Sequence, residues 1–221
     1  MDSQTTAALA HLNALLPLAA RQAQLPPEWR ALHQTILRAF AARGRPPARA
    51  ELAAGTPDVD AALARLRADD LVVLDEAGEI AGAYPFTLDA TPHTVHVNGH
   101  TPRAMCAVDA LAVGALFGLA TAITSHCAAT GAPVRVTQHG LTLPAAPADL
   151  RVGIHWQTPG GCAAHSLCRE MPFLRDAAAA EAWRQQAPAE RETFTAAQAL
   201  ALADAFFAPL MRSELSGVAE R

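Results

Sequence analysis

Residues 104–123 read AMCAVDALAVGALFGLATAI, twenty residues carrying one charge, Asp109. No other segment restricts the fold so strongly, because a run this apolar must be shielded from water by lipid or by the rest of the chain. Its length would cross a bilayer, and Gly114 and Gly118 have the spacing that lets membrane helices approach closely. Against a membrane span, an aspartate near its middle costs about 3 kcal/mol on insertion scales, and no second span or strong arginine asymmetry sets an orientation. The expectation is a buried core helix followed by a strand, with no membrane partner.

A chain of 221 residues, half of them apolar, can bury such a helix in one domain of ordinary size plus a small appendage. The net charge of -4 supplies no basic footprint for counterion release, so nucleic acid is not an expected partner. The first residues, MDSQTTAALAHLNALLPLAARQ, have no basic leader, and His11 and Asn13 interrupt the apolar run; this predicts a cytoplasmic protein rather than a secreted one. In a reducing compartment Cys106, Cys127, Cys162 and Cys168 are read as free, metal-binding or catalytic thiols. None forms a C-x-x-C pair, which argues against structural zinc.

The order of elements predicts an α+β fold. Residues 1–86 form a helical, winged-helix-like N-terminal module and residues 87–221 a mixed α/β core with antiparallel strands. In the first part, Pro26 and Pro27 open a helix carrying Trp29, Leu32, Ile36, Leu37 and Phe40, and Gly44 closes it. A short helix follows over Arg49 to Ala53. Thr56 then caps a third helix with Pro57 in its first turn, and the stretch from Leu71 to Phe86 makes a β-ribbon turning at Asp75 to Gly78. The third helix, with four Asp against two Arg in DVDAALARLRADD, is too acidic to read DNA phosphates. In the second part, strands are expected at HTVHVNG, on both sides of a turn at Thr130 to Pro133, and over Leu150 to Trp156. Helices are expected over Pro102 to Gly118, Ala177 to Gln186 and Thr195 to Met211.

Cys106 and Asp109 are three apart near the start of the apolar helix, which places both side chains on one face. A helix N-terminus favours a thiolate, while burial among Val108, Leu111 and Val113 raises an aspartic acid. The pair could then share one mobile proton. The plainer reading is a small core cysteine and an aspartate satisfying a backbone N–H. Among the nine histidines, His93 and His96 fall on opposite faces of a strand and are read as core or surface residues, not convergent ligands.

Three segments decide between these readings: MCAVDALAVGALFG, SHCAATGAPVRVT and SLCREMPFL. Together they resemble the organomercurial (alkylmercury) lyases. The resemblance implies that C-x-x-D falls on Cys106 and Asp109, that the second catalytic cysteine falls on Cys168, and that Cys127 is a structural cysteine. It also implies a winged-helix-like region ahead of a mixed core. Two departures stand out. Arg169 occupies a position where some members carry another cysteine, with Cys162 six residues upstream of Cys168, and Met105 replaces a residue that is often aromatic.

The implied activity is protonolysis of a carbon–mercury bond to a hydrocarbon and Hg(II), part of mercury resistance. Cys106, Cys168 and Asp109 would hold the Hg(II) product, and no organic cofactor would be needed. Thiolates suit soft mercury, and Asp109 would relay the proton. The expected partners are an organomercurial substrate, cellular thiols and a mercuric reductase as Hg(II) acceptor. The alternative is a protein of the same family that binds or delivers mercury without turnover.

Overall fold

In the computed structural model, which describes residues 1–212, helix α1 (Ser3–Leu15) begins at Asp2, whose side chain accepts the Thr5 N–H at 2.8 Å. Ala8 and Leu12, four residues apart, are buried, and so is Leu16 just beyond the helix end. Helix α2 (Leu18–Ala23) leads into α3 (Pro27–Arg43), where Leu32, Ile36, Leu37 and Phe40 face inward and Gly44 stops the helix at φ 70°. Helix α4 (Arg49–Ala53) has the bounds read from the sequence. The cap of α5 (Val59–Ala68) does not: Asp58, not Thr56, accepts the Ala61 N–H, at 3.0 Å. Pro57 therefore precedes the cap instead of lying in the first turn.

Strands β1 (Val73–Leu74) and β2 (Ile80–Ala83) form the expected ribbon around Asp75, whose carboxylate accepts the Glu79 N–H. The ribbon does not stand apart as a wing. Strand β3 (Phe86–Thr87) pairs with β2 on one side and on the other with β5 (Arg103–Ala104), so residues on both sides of position 86 share one sheet. With β4 (Thr94–His96), β6 (Ala120–His126), β7 (Pro133–His139) and β8 (Thr142–Ala145), it makes an eight-stranded antiparallel sheet of order β1-β2-β3-β5-β4-β6-β7-β8. A second sheet places β9 (Arg151–His155) between β10 (Phe173–Leu174) and β11 (Arg191–Thr195). Strands β8, β10 and β11 were not read as separate strands from the sequence: β8 is a four-residue edge strand holding a proline, β10 is two residues long and β11 is mostly polar.

Helix α6 (Ala107–Phe117) is the apolar segment, and Ala107 through Gly114 are all buried, as a core helix requires. It starts five residues later than the periodicity suggested, because Arg103 and Ala104 are taken by pairing with Thr87 and Phe86. Among the described residues, no helix is long and apolar enough to cross a membrane. Gly114 and Gly118 serve other ends. Gly114 lies where a β-carbon would come within 2.8 Å of the Gln138 side chain, and Gly118 ends the helix at φ 65°. Helix α7 (Ala177–Arg184) lies beside β9, and α8 (Ala196–Phe207) packs against both α1 and α6.

Candidate active site

The late start of α6 makes Cys106 its N-cap rather than a residue of its first turn. From that extended position its Sγ accepts the Asp109 N–H at 3.3 Å. Cys168 comes from the 3-10 turn Leu167–Glu170. Met171 ties the two segments together: its N–H donates to the Cys168 carbonyl at 3.2 Å, and its carbonyl accepts the Ala107 N–H at 2.9 Å. One ligand atom from each of Cys106, Asp109 and Cys168 lies within 4.8 Å of the other two, and all three residues are buried.

Burial sets the proton affinities. It raises Asp109 from 3.8 to about 7, although contacts with the Cys106 and Cys168 thiols pull the other way. Its Oδ2 atom is buried without a hydrogen-bond partner. Cys106 behaves contrary to the expectation of a lowered thiol. Desolvation raises it well above the ordinary value, and the Cys168 hydrogen bond and the Asp109 charge add to the rise. A helix N-terminus cannot offset removal from water with negative groups alongside. For Cys168, a hydrogen bond with Cys106 favours the thiolate, but burial and the charges of Asp109 and Asp70 leave it raised too.

Two spaces meet at Cys168. A small chamber of about 10 Å³ is lined by Cys106, Asp109, Cys168, Met171 and Tyr84 together with Leu12, Leu16, Phe206 and Phe207. It has room for about one water at most. A larger cavity of about 430 Å³ also borders Cys168, with His93, Met105 and Cys127 in its walls. Cys168 alone of the three grouped residues lines both, so a molecule arriving through the cavity meets it first.

Cys162 is placed elsewhere, half-buried, with its thiol donating to Asp70 Oδ1 at 3.1 Å. Burial and the neighbouring Asp70 raise it to about 11. Cys127 sits in the turn after β6, where its backbone bonds to Ala132 and Gly131; burial raises its thiol, but hydrogen bonds led by the Thr130 hydroxyl outweigh that and lower it. His93 is a core residue, held near 4 by burial and bonded to the Ser125 hydroxyl at 2.9 Å. The sequence reading missed Met171, Tyr84 and Leu12 of α1 as parts of the site. Met171 stood within the quoted segment SLCREMPFL, but nothing in that string shows where its sulfur lies.

The alkylmercury lyase family model matches residues 86–208, more than half of the chain. The chain belongs to the alkylmercury lyase family. An alkylmercury lyase of Streptomyces lividans is 29% identical over 221 residues, covering 98% of this chain and 97% of that one. One from Staphylococcus epidermidis is 34% identical over 118 residues, covering 53% of this chain and 54% of its own. The crystal structure of the mercury-bound form of MerB2 shares the fold, with a TM-score of 0.74 at 23% identity, over 91% of this chain and 99% of that one. The stretch matched by the alkylmercury lyase family contains Cys106, Asp109, Cys127 and Cys168.

Proposed function

We propose that this chain is an organomercurial lyase in which Cys106 and Cys168 hold mercury and Asp109 moves the proton. The observation that carries the reading is the buried group itself: two thiols and one carboxyl within 4.8 Å, the carboxyl having an unpartnered oxygen and a proton affinity near neutral pH. A site that only bound mercury would gain nothing from a protonatable carboxyl held out of water beside both sulfurs.

The substrate arrives as an organomercury thiolate, R–Hg–SR′. Cys168 at the cavity wall exchanges with it, forming Cys168–S–Hg–R and releasing R′SH, which carries off the thiol proton. Cys106 then adds its sulfur to mercury and gives its proton to the Asp109 carboxylate. A second thiolate on mercury pushes electron density onto carbon, because soft sulfur donates strongly to a soft metal. Asp109 delivers the proton, the carbon–mercury bond breaks, and the products are R–H and Hg(II) bridging Cys106 and Cys168. The raised value of Asp109 suits both halves of this relay, since a group near 7 accepts and donates at neutral pH.

No electrons are gained or lost overall, so the reaction calls for no organic redox cofactor. Cellular thiols supply the substrate form, and a mercuric reductase is the proposed acceptor of Hg(II). The need for reduced thiols fits a cytoplasmic enzyme. A division at residue 86 assigns all three reacting groups to residues 87–221, while residues 1–86 contribute chamber walls through Leu12, Leu16 and Tyr84. The deciding test is benzene release from phenylmercury with excess thiol. Wild-type protein that binds phenylmercury and releases no benzene would leave the non-catalytic mercury binder as the correct reading.

A further inference from the structure

The Cys106 thiol points at another sulfur. Its S–H donates to the thioether of Met171 at 3.8 Å, while the same Sγ accepts the Asp109 N–H. Met171 is 3% exposed and lines the small chamber together with Cys106, Asp109 and Cys168. Its backbone is fastened on both sides, to the Cys168 carbonyl and to the Ala107 N–H at the start of α6. The thioether is therefore held at the junction of the two cysteine segments.

We infer that the Met171 thioether is a third sulfur ligand for mercury, weaker than the two thiolates, at the site formed by Cys106 and Cys168. A metal that replaces the Cys106 proton takes up a lone pair on the same sulfur, on the side where Met171 now accepts. A thioether is soft and neutral, so it matches mercury and needs no deprotonation to bind. A leucine would fill the same space at small packing cost, since exchanges between these two residues conserve volume, but it would offer no donor. Met105, the other thioether near the site and the residue that departs from the family's frequent aromatic, lines the larger cavity with Cys168 rather than the chamber. The third sulfur secures Hg(II) after the hydrocarbon leaves, when mercury has lost one of its ligands. Weak binding is an advantage there, because the metal must still pass to an outside thiol.

This inference rests on mercury being held by Cys106 and Cys168, and the test separates the two statements. Wild type, Met171→Leu and Met105→Leu are loaded with one equivalent of HgCl₂ and examined by X-ray absorption at the mercury edge. The expected result is two short sulfur neighbours in all three proteins, with one longer sulfur present in wild type and Met105→Leu and lost in Met171→Leu. Met171→Leu should also lose Hg(II) faster to excess dithiol. Two short sulfurs with no third in wild type, or a third that survives in Met171→Leu, overturns the Met171 assignment while leaving the two-cysteine site standing. Absence of the two short sulfurs overturns both. Should Met171→Leu fail to fold, Met105→Leu protein labelled with selenomethionine reports the contact at the selenium edge. No mercury neighbour at selenium overturns the assignment there.

Discussion

The backbone N–H of Asp109 donates to Cys106 Sγ at 3.3 Å, yet the carboxyl of the same Asp109 leaves Oδ2 buried and unpartnered. The aspartate thus fixes the thiol through its main chain and keeps its side chain available for a proton. An aspartate serving only as a cap would spend its carboxylate on backbone N–H groups, as Asp2, Asp58 and Asp176 do in this chain.

Asp109→Asn should bind organomercurial and leave it intact, with turnover reduced by about 10²- to 10⁴-fold, the span typical of a lost general acid. Retained phenylmercury and missing benzene are the readouts; near-normal benzene release would sink the proton-carrier role.

The same substitution should stabilise the fold at high pH. The folded value of Asp109 lies above its ordinary 3.8, at about 7, so the stability tied to its neutral form is fully present below about pH 4 and lost as pH rises through 7. A shift of that size corresponds to a few kcal/mol, roughly 1.4 per unit. Melting curves of wild type and Asp109→Asn should converge toward pH 4 and separate by pH 8, with the variant the more stable. Equal melting at pH 8 would contradict the buried, raised carboxyl.

Cys106→Ser and Cys168→Ser should each nearly abolish turnover, because a hydroxyl is a poor mercury ligand. Cys162→Ser should retain most hydrocarbon release per folded molecule, since that thiol is occupied with Asp70 outside the group of three. The opposite ranking of Cys162 and Cys168 in the benzene assay would reassign the second thiol.

Two buried histidines should limit stability in acid. Burial lowers His33 and His93 from 6.5 to about 4; His33 is also held between the Gln22 amide and the Leu71 carbonyl. Stability from a depressed group is present above its unfolded value and disappears as pH falls from 6.5 through 4, here at most roughly 3 kcal/mol per residue. Proton NMR should show both imidazoles neutral at pH 5.5, and the melting temperature should fall between pH 6.5 and 4. An imidazole titrating near 6.5 would refute its burial in neutral form.

Gly114→Ala should cost about 1–3 kcal/mol, the usual range for overpacking a filled site. The new β-carbon would meet the Gln138 amide at 2.8 Å, and that amide is held by the Leu111 and Gly140 carbonyls, each at 2.8 Å. The denaturation midpoint measures the loss, and a variant as stable as wild type would show that Gln138 can yield.

Much of the fold was legible because it is written locally. Helix α4 occupies the predicted residues, α3 begins within the predicted Pro26-Pro27 start and stops at Gly44, and β6 and β7 flank the predicted turn. Local signals failed where a distant strand competed. Pairing with β3 claimed Arg103 and Ala104, and this one contact moved the start of α6 and turned Cys106 into a cap.

The sequence by itself determined the chemistry on offer: a C-x-x-D pair in an apolar helix, further thiols downstream, and segments resembling one family. Tertiary structure decided which thiol joins the pair, since Cys162 and Cys168 lie six residues apart in one loop and only Cys168 is brought to Asp109. It also decided the direction of the Cys106 shift and placed the Met171 sulfur against that thiol. The physical reason is that residue types and short spacings are properties of the chain. Proton affinity and metal geometry depend instead on how much water and which charges the packed fold leaves around each atom.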